Sequence, residues 1–144
     1  SEDVVAQREE ALAKQLHEMR RRKQRLVDPL QFEMSIQAED LTGYTPAFGW
    51  EMGPPSDAQK DTLEKLGILP DQIESAGKAK LLLDRLGARR EAGLTTPKQI
   101  RFLEGRGFRH VGTWSFESAK HMIDRIAAHG WEKRIRESNA WTVS

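Results

Sequence analysis

Cysteine is absent from all 144 residues. That excludes disulfides, thiolate metal sites and cysteine nucleophiles, and it fits a cytoplasmic chain. No apolar run approaches membrane-spanning length, so no membrane partner is expected. The N-terminus, Ser1-Glu2-Asp3, is acidic and unlike a signal peptide. It begins directly in helical sequence and reads as a piece cut from a longer protein. Histidine is scarce, and His17, His110, His121 and His129 lack the spacing of a metal site, so no metal is expected. Phosphate-binding loops are missing too. Gly77-Lys78 has no upstream glycine at the right distance and no following Ser or Thr. Gly105-Arg106-Gly107 lacks a third glycine and closes a helix where a dinucleotide fingerprint must open one. No Ser-His-Asp arrangement can be drawn. Asp84 and Asp124 each precede an Arg and read as repeated surface pairs. With no catalytic constellation and no cofactor site, the chain is not expected to be an enzyme by itself.

What is present is, first, a segregation of charge. The formal net charge is only +1. Residues 29–77 carry nine acidic and two basic side chains, hence −7, and residues 78–109 carry nine basic and three acidic, hence +6. A basic block of that size either meets a polyanion or neutralises the acidic half of its own chain.

Second, the chain repeats itself. Residues 55–87 shifted by 40 match at Gln59/Gln99, Leu63/Leu103, Glu64/Glu104, Gly67/Gly107, Ser75/Ser115, Ala79/Ala119, Lys80/Lys120, Asp84/Asp124 and Arg85/Arg125. Apolar character is kept at Ile68/Phe108, Leu82/Met122, Leu83/Ile123 and Leu86/Ile126. One supersecondary unit is used twice. In the first unit, residues 55–93, Ser56 caps a helix through Leu66 with Ala58, Leu63 and Leu66 inward; Gly67 ends it, and Ser75 caps a second helix through Leu86. In the second, residues 94–131, Thr96 caps, Pro97 takes the first helical position and Gly107 closes. Phe108, Val111 and Trp114 fill the turn, and Ser115 caps a helix bearing Ala119, Met122, Ile123 and Ile126. Gly130 is expected to stop it, with Trp131 folded back on the core, and residues 132–144 form a tail.

Upstream, residues 1–28 form a long helical arm. Val5, Leu12, Met19 and Leu26 fall seven apart with Leu16 beside them, a narrow seam suited to another helix. Its basic end, Arg20-Arg21-Arg22-Lys23 and Arg25, suits the helix dipole, and Asp28-Pro29 ends it. Residues 29–54 connect. Leu30, Phe32, Met34 and Ile36 alternate with polar residues, which allows a short strand, but an extended segment lying on the helices is the preferred reading. Tyr44, Phe48 and Trp50 are expected to pin this connector to the core. The fold expected is all-α: two tandem helical hairpins packed as a small bundle, preceded by the arm and connector.

Candidate phosphate contacts are Lys98, Arg101, Arg106, Arg109 and His110 on the first helix and turn of the second unit, extended by Lys78, Arg89 and Arg90. Such residues neutralise phosphates without reading sequence. Trp114 and Phe116 could stack on bases, though core packing is the commoner fate of aromatics so placed.

The phrasing Pro55-Ser56-Asp57-x-Gln59-x3-Leu63-x3-Gly67, Thr96-Pro97-Lys98-Gln99-Ile100-x2-Leu103 and Gly112-Thr113-Trp114-Ser115-Phe116-x2-Ala119 resembles the C-terminal region of phage- and prophage-type superfamily 2 helicases with a DEAD/DEAH-type motor. The resemblance covers residues 28–131, including Tyr44-x-Pro46-x-Phe48-x-Trp50-Glu51-x-Gly53-Pro54. It implies an accessory region beside a nucleic-acid motor whose ATP-binding and hydrolase motifs lie upstream, and no residue role. The function expected is therefore weak, phosphate-directed nucleic-acid binding, DNA before RNA, next to the helicase motor. The rival is a protein-interaction or self-association module working through the Val5/Leu12/Leu16/Met19/Leu26 seam.

Overall fold

The computed structural model describes residues 2–129. Its helices are α1 (Glu2–Arg25), α2 (Pro29–Ser35), α3 (Glu39–Thr42), α4 (Gly49–Met52), α5 (Asp57–Lys65), α6 (Ala76–Glu91), α7 (Pro97–Glu104) and α8 (Phe116–His129), with a 3-10 turn at Val111–Thr113. Among the described residues no strand forms, and β-pairing is confined to two isolated bridges, Val27 with Ile68 and Leu94 with Ser115. The chain is a small all-α bundle. Gly130, Trp131 and the tail with Trp141 lie outside the described residues.

The 40-residue period survives as a period of hydrogen bonds. The Ser56 hydroxyl accepts from Gln59 N–H at 3.1 Å, and the Gln59 side chain accepts from Ser56 N–H at 3.0 Å. Thr96 and Gln99 form the same reciprocal cap at 3.1 and 3.1 Å. Each glutamine also donates its amide across the hairpin, Gln59 to the Ala76 carbonyl at 3.2 Å and Gln99 to the Phe116 carbonyl at 3.4 Å. One side chain thus caps the first helix and ties it to the start of the second. Ser75 and Ser115 accept from Lys78 and Ser118 N–H, both at 3.1 Å. Gly67 and Gly107 reverse the chain at φ +101° and +98°, a region glycine enters without steric cost. The repeat also begins earlier than residue 55. Gly53 O accepts from Ala76 N–H and Gly93 O from Phe116 N–H, each at 2.8 Å, again 40 apart.

The two hairpins share one interior. Leu63 and Leu103 are fully buried, as are Ala79 and Ala119, within a single cluster that includes Leu82, Ile100 and Ile126. Ala58 and Leu66, expected inward, are exposed. α5 is only nine residues long and reaches the core through Leu63.

The connector differs most from expectation. Residues 29–35 are neither strand nor extended segment but helix α2: Asp28 accepts from Leu30 N–H at 2.8 Å and Pro29 takes the first position. Helical rotation buries Pro29, Phe32, Glu33 and Ser35 and exposes Leu30 and Met34, which the two-residue alternation had grouped with Phe32. Phe32 is the aromatic that plugs the core, whereas Phe48 and Trp50 stand 70% and 60% exposed. Of the three expected anchors only Tyr44 is half-buried; its ring end lies against Gly77, and its hydroxyl donates to Glu51 at 3.0 Å. The Ala47 N–H and that hydroxyl hold the Glu51 carboxyl below its ordinary range.

Truncating the duplicated leucines tests the shared interior. Leu63→Ala and Leu103→Ala are each expected to destabilise the whole chain by about 2–5 kcal/mol in a single cooperative transition. Equilibrium denaturation resolves this. Two separate transitions, one per hairpin, would refute a common core.

Candidate nucleic-acid interface

The repeated glutamates hold the N-terminal segments in place. Glu64 Oε1 accepts from Arg22 Nη2 at 2.5 Å, and Arg22 grips Asp71 with both terminal nitrogens at 2.9 and 2.8 Å. Those carboxylates, Asp71 first, raise the Arg22 pKa above its ordinary value. Glu104 accepts from Gln31 at 3.0 Å, the Ser35 hydroxyl at 2.6 Å and Val111 N–H at 3.2 Å. Ser35 in turn accepts from Gly112 N–H at 2.7 Å. A Cβ at Gly112 would lie 2.5 Å from the Ser35 backbone, so only glycine fits there. Between these anchors Val27 enters the core, accepting from Leu69 N–H at 2.9 Å and donating to Gly67 O at 2.8 Å.

The same docking brings two basic stretches together. Arg101 on α7 donates through Nε and Nη2 to the Lys23 carbonyl at 3.1 and 3.0 Å. The basic C-terminal end of α1 therefore meets α7. Lys98, one turn before Arg101, is exposed, and its stem lies over Gly67. Among the described residues Arg20, Lys23, Arg25 and Lys98 make no ion pair.

The eight residues expected to contact phosphate part company here. Lys98, Arg109, His110 and Arg90 face solvent, with His110 in the left-handed region at φ +55°. Arg101 is partly used in holding α1. Arg106 lies 3.7 Å over the Phe102 ring and donates to the Phe102 carbonyl at 3.4 Å. Lys78 is drawn inward by the Glu33 carboxylate and the Leu41 carbonyl. Arg89 is 7% exposed; its Nη2 donates to Thr95 O, Thr95 Oγ1 and Gly112 O at 3.1, 3.0 and 2.9 Å. Desolvation, then the charge of Arg85, lowers its pKa. Lys78 and Arg89 are thus framework residues, withdrawn from any surface patch. Internal neutralisation accounts for part of the basic block: Lys78 meets Glu33, and Arg85 meets Asp40 at 2.5 Å. Arg85 holds the exposed Asp40 carboxyl below its usual range.

Sequence reasoning missed the share of α1 in this surface. Its basic run was legible, but only the Arg101–Lys23 contact reveals what it adjoins. Trp114 meets Phe108 edge-on at 5.6 Å and is half-buried, the packing role expected for it. A concavity of about 830 Å³ lies between the hairpins, walled by Leu66, Leu83, Leu86, Pro97 and Phe116, with Arg90 among its lining. No group of His, Asp or Glu among the described residues could hold a metal ion, and no helix is long and apolar enough to cross a membrane. Comparison with protein-family models, curated proteins and solved structures finds no match to this chain.

Arg89 and its neighbour Arg90 separate framework from surface. Arg89→Ala strands two buried carbonyls and is expected to cost about 2–3 kcal/mol, whereas Arg90→Ala should change stability by about 0.5 kcal/mol or less. Thermal denaturation of the two variants decides; equal effects would contradict the buried position of Arg89.

Proposed function

We propose that this chain is a non-catalytic accessory module that binds nucleic acid weakly through the phosphate backbone, at the junction of α1 and α7. The observation that carries the reading is the Arg101–Lys23 hydrogen bond. It joins two basic stretches that are 78 residues apart in sequence, and around that contact Arg20, Lys23, Arg25 and Lys98 are exposed and have no carboxylate partners among the described residues. Flexible ammonium and guanidinium groups on an open helical surface match phosphates rather than base edges. Arg109 and His110 form a second outlying pair at the far end of α7. The resemblance to helicase tails favours DNA over RNA and an upstream motor as the neighbouring partner; nucleotide binding and hydrolysis belong to that motor.

A specific observation also supports the interaction reading. Four of the five seam residues, Val5, Leu12, Leu16 and Met19, are about half exposed on α1, while Leu26 is buried in the body.

Titrating fluorescent single- and double-stranded oligonucleotides across a salt series tests the nucleic-acid reading. Binding should fall with salt, and each lost phosphate contact should flatten the log–log slope by about 0.7 for single strands or 0.9 for duplex. The double change Lys23→Glu with Lys98→Glu is expected to flatten it by about two contacts' worth. The same charge reversal at exposed Lys60, on α5, should flatten it less. Absence of binding at low salt, or equal effects at both locations, would overturn the proposed surface.

A further inference from the structure

We propose that α1 pairs with α1 of a second copy as an antiparallel two-helix coiled coil centred between Leu12 and Leu16. This rests on the reading of α1 as an interaction helix, and it shares Lys23 with the proposed phosphate surface. None of the 24 residues of α1 is buried. Its apolar stripe nevertheless runs into the body, where Leu26, one heptad after Met19, is 2% exposed. The stripe is covered at one end and open along the rest, and a lone helix with such a seam gains most by burying it against another helix.

Charge chooses the occupant and its direction. Residues 2–10 carry Glu2, Asp3, Glu9 and Glu10 against one Arg8, while residues 20–25 carry Arg20, Arg21, Arg22, Lys23 and Arg25 with no acid. With Val5, Leu12, Met19 and Leu26 at one core position of the heptad, the other is filled by Glu9, Leu16 and Lys23. Parallel pairing would set Glu9 against Glu9 and Lys23 against Lys23. Antiparallel pairing places Leu12 against Leu16, Met19 against Glu9 and Val5 against Lys23. The Lys23 stem then covers Val5 while its ammonium reaches the acidic first turn of the other helix. Glu9 meets the turn that bears Arg20. Ala6 and Ala13 border the seam and permit close approach. The two bodies also end up at opposite ends of the pair, about 30 Å apart for some 20 residues of helix, instead of crowding one end.

The absence of cysteine makes the test clean. Sedimentation equilibrium of the full chain over a concentration series should show a monomer–dimer equilibrium weakened by salt. Leu12→Glu with Leu16→Glu should yield a monomer whose body still unfolds cooperatively, because both positions are exposed, and whose midpoint no longer depends on concentration. For direction, Val5→Cys and Lys23→Cys chains are mixed and mildly oxidised. A disulfide joining the two different variants is expected. Predominant joining of like variants would show parallel pairing and overturn the proposal. So would a monomer at every concentration, or a dimer that survives the double glutamate change. Oligonucleotide binding is read on the Leu12→Glu/Leu16→Glu chain, whose Lys23 is unchanged, so either reading can fail without the other.

Discussion

Everything in this fold depends on the closure of one interior by two hairpins that cannot close their own. A pair of short helices has one apolar stripe each and leaves half of it wet. Here Leu63 and Leu103 come from corresponding places in the two units and meet the same cluster, with Ala79 and Ala119 keeping the second helices close. The hairpins are also held in shape by local hydrogen bonds. Gln59 and Gln99 each satisfy an orphan helix donor and a carbonyl at the start of the next helix. A side chain with both a donor and an acceptor is needed there, which makes the repeated glutamines as consequential as the repeated leucines.

Duplication supplies identical side chains, and the flanking sequence puts them to different uses. Glu64 and Glu104 occupy equivalent positions at the ends of α5 and α7. Glu64 receives Arg22 from α1, and Glu104 receives Gln31, Ser35 and a backbone N–H from the turn. The N-terminal third is thereby stitched first to one unit and then to the other. Phe32 fills the gap between the stitches, with the buried Arg89 guanidinium 5.8 Å from its ring. A buried arginine with only carbonyls and a hydroxyl around Nη2 is a costly feature. What it secures is the pair of turns at Thr95 and Gly112 against which α2 is set.

The hairpins were legible because their signals are local. Ser56, Ser75, Thr96-Pro97, Gly67 and Gly107 punctuate helices through neighbouring backbone, and that chemistry is written within four residues. The connector was not legible because its structure is decided at long range. Leu30, Phe32, Met34 and Ile36 fit a strand on paper; the helix prevails because Asp28-Pro29 starts it and because Ser35 and Gln31 find Glu104 some 70 residues away. The same holds for the candidate surface. Lys78 and Arg89 look like any other cations in the basic block, and their burial follows from Glu33, Thr95 and Gly112. Conversely, Lys23 looked like part of a helix end and became part of a surface through Arg101.

The division of the basic residues follows from geometry more than from number. Two cations of α6, Lys78 and Arg85, meet carboxylates of the acidic connector and are neutralised there. At the α1–α7 junction Lys23 and Lys98 are exposed and meet no carboxylate among the described residues, while Arg22 and Arg101 are engaged in holding α1 in place. A net charge near zero therefore conceals a segregation, with five cations at the end of the α1 arm that joins the body. That arm is acidic at its far end. On the proposed reading, an anion approaching along α1 would be repelled first and attracted only near the body, and the outer half of the arm would be left to the helix of a second copy.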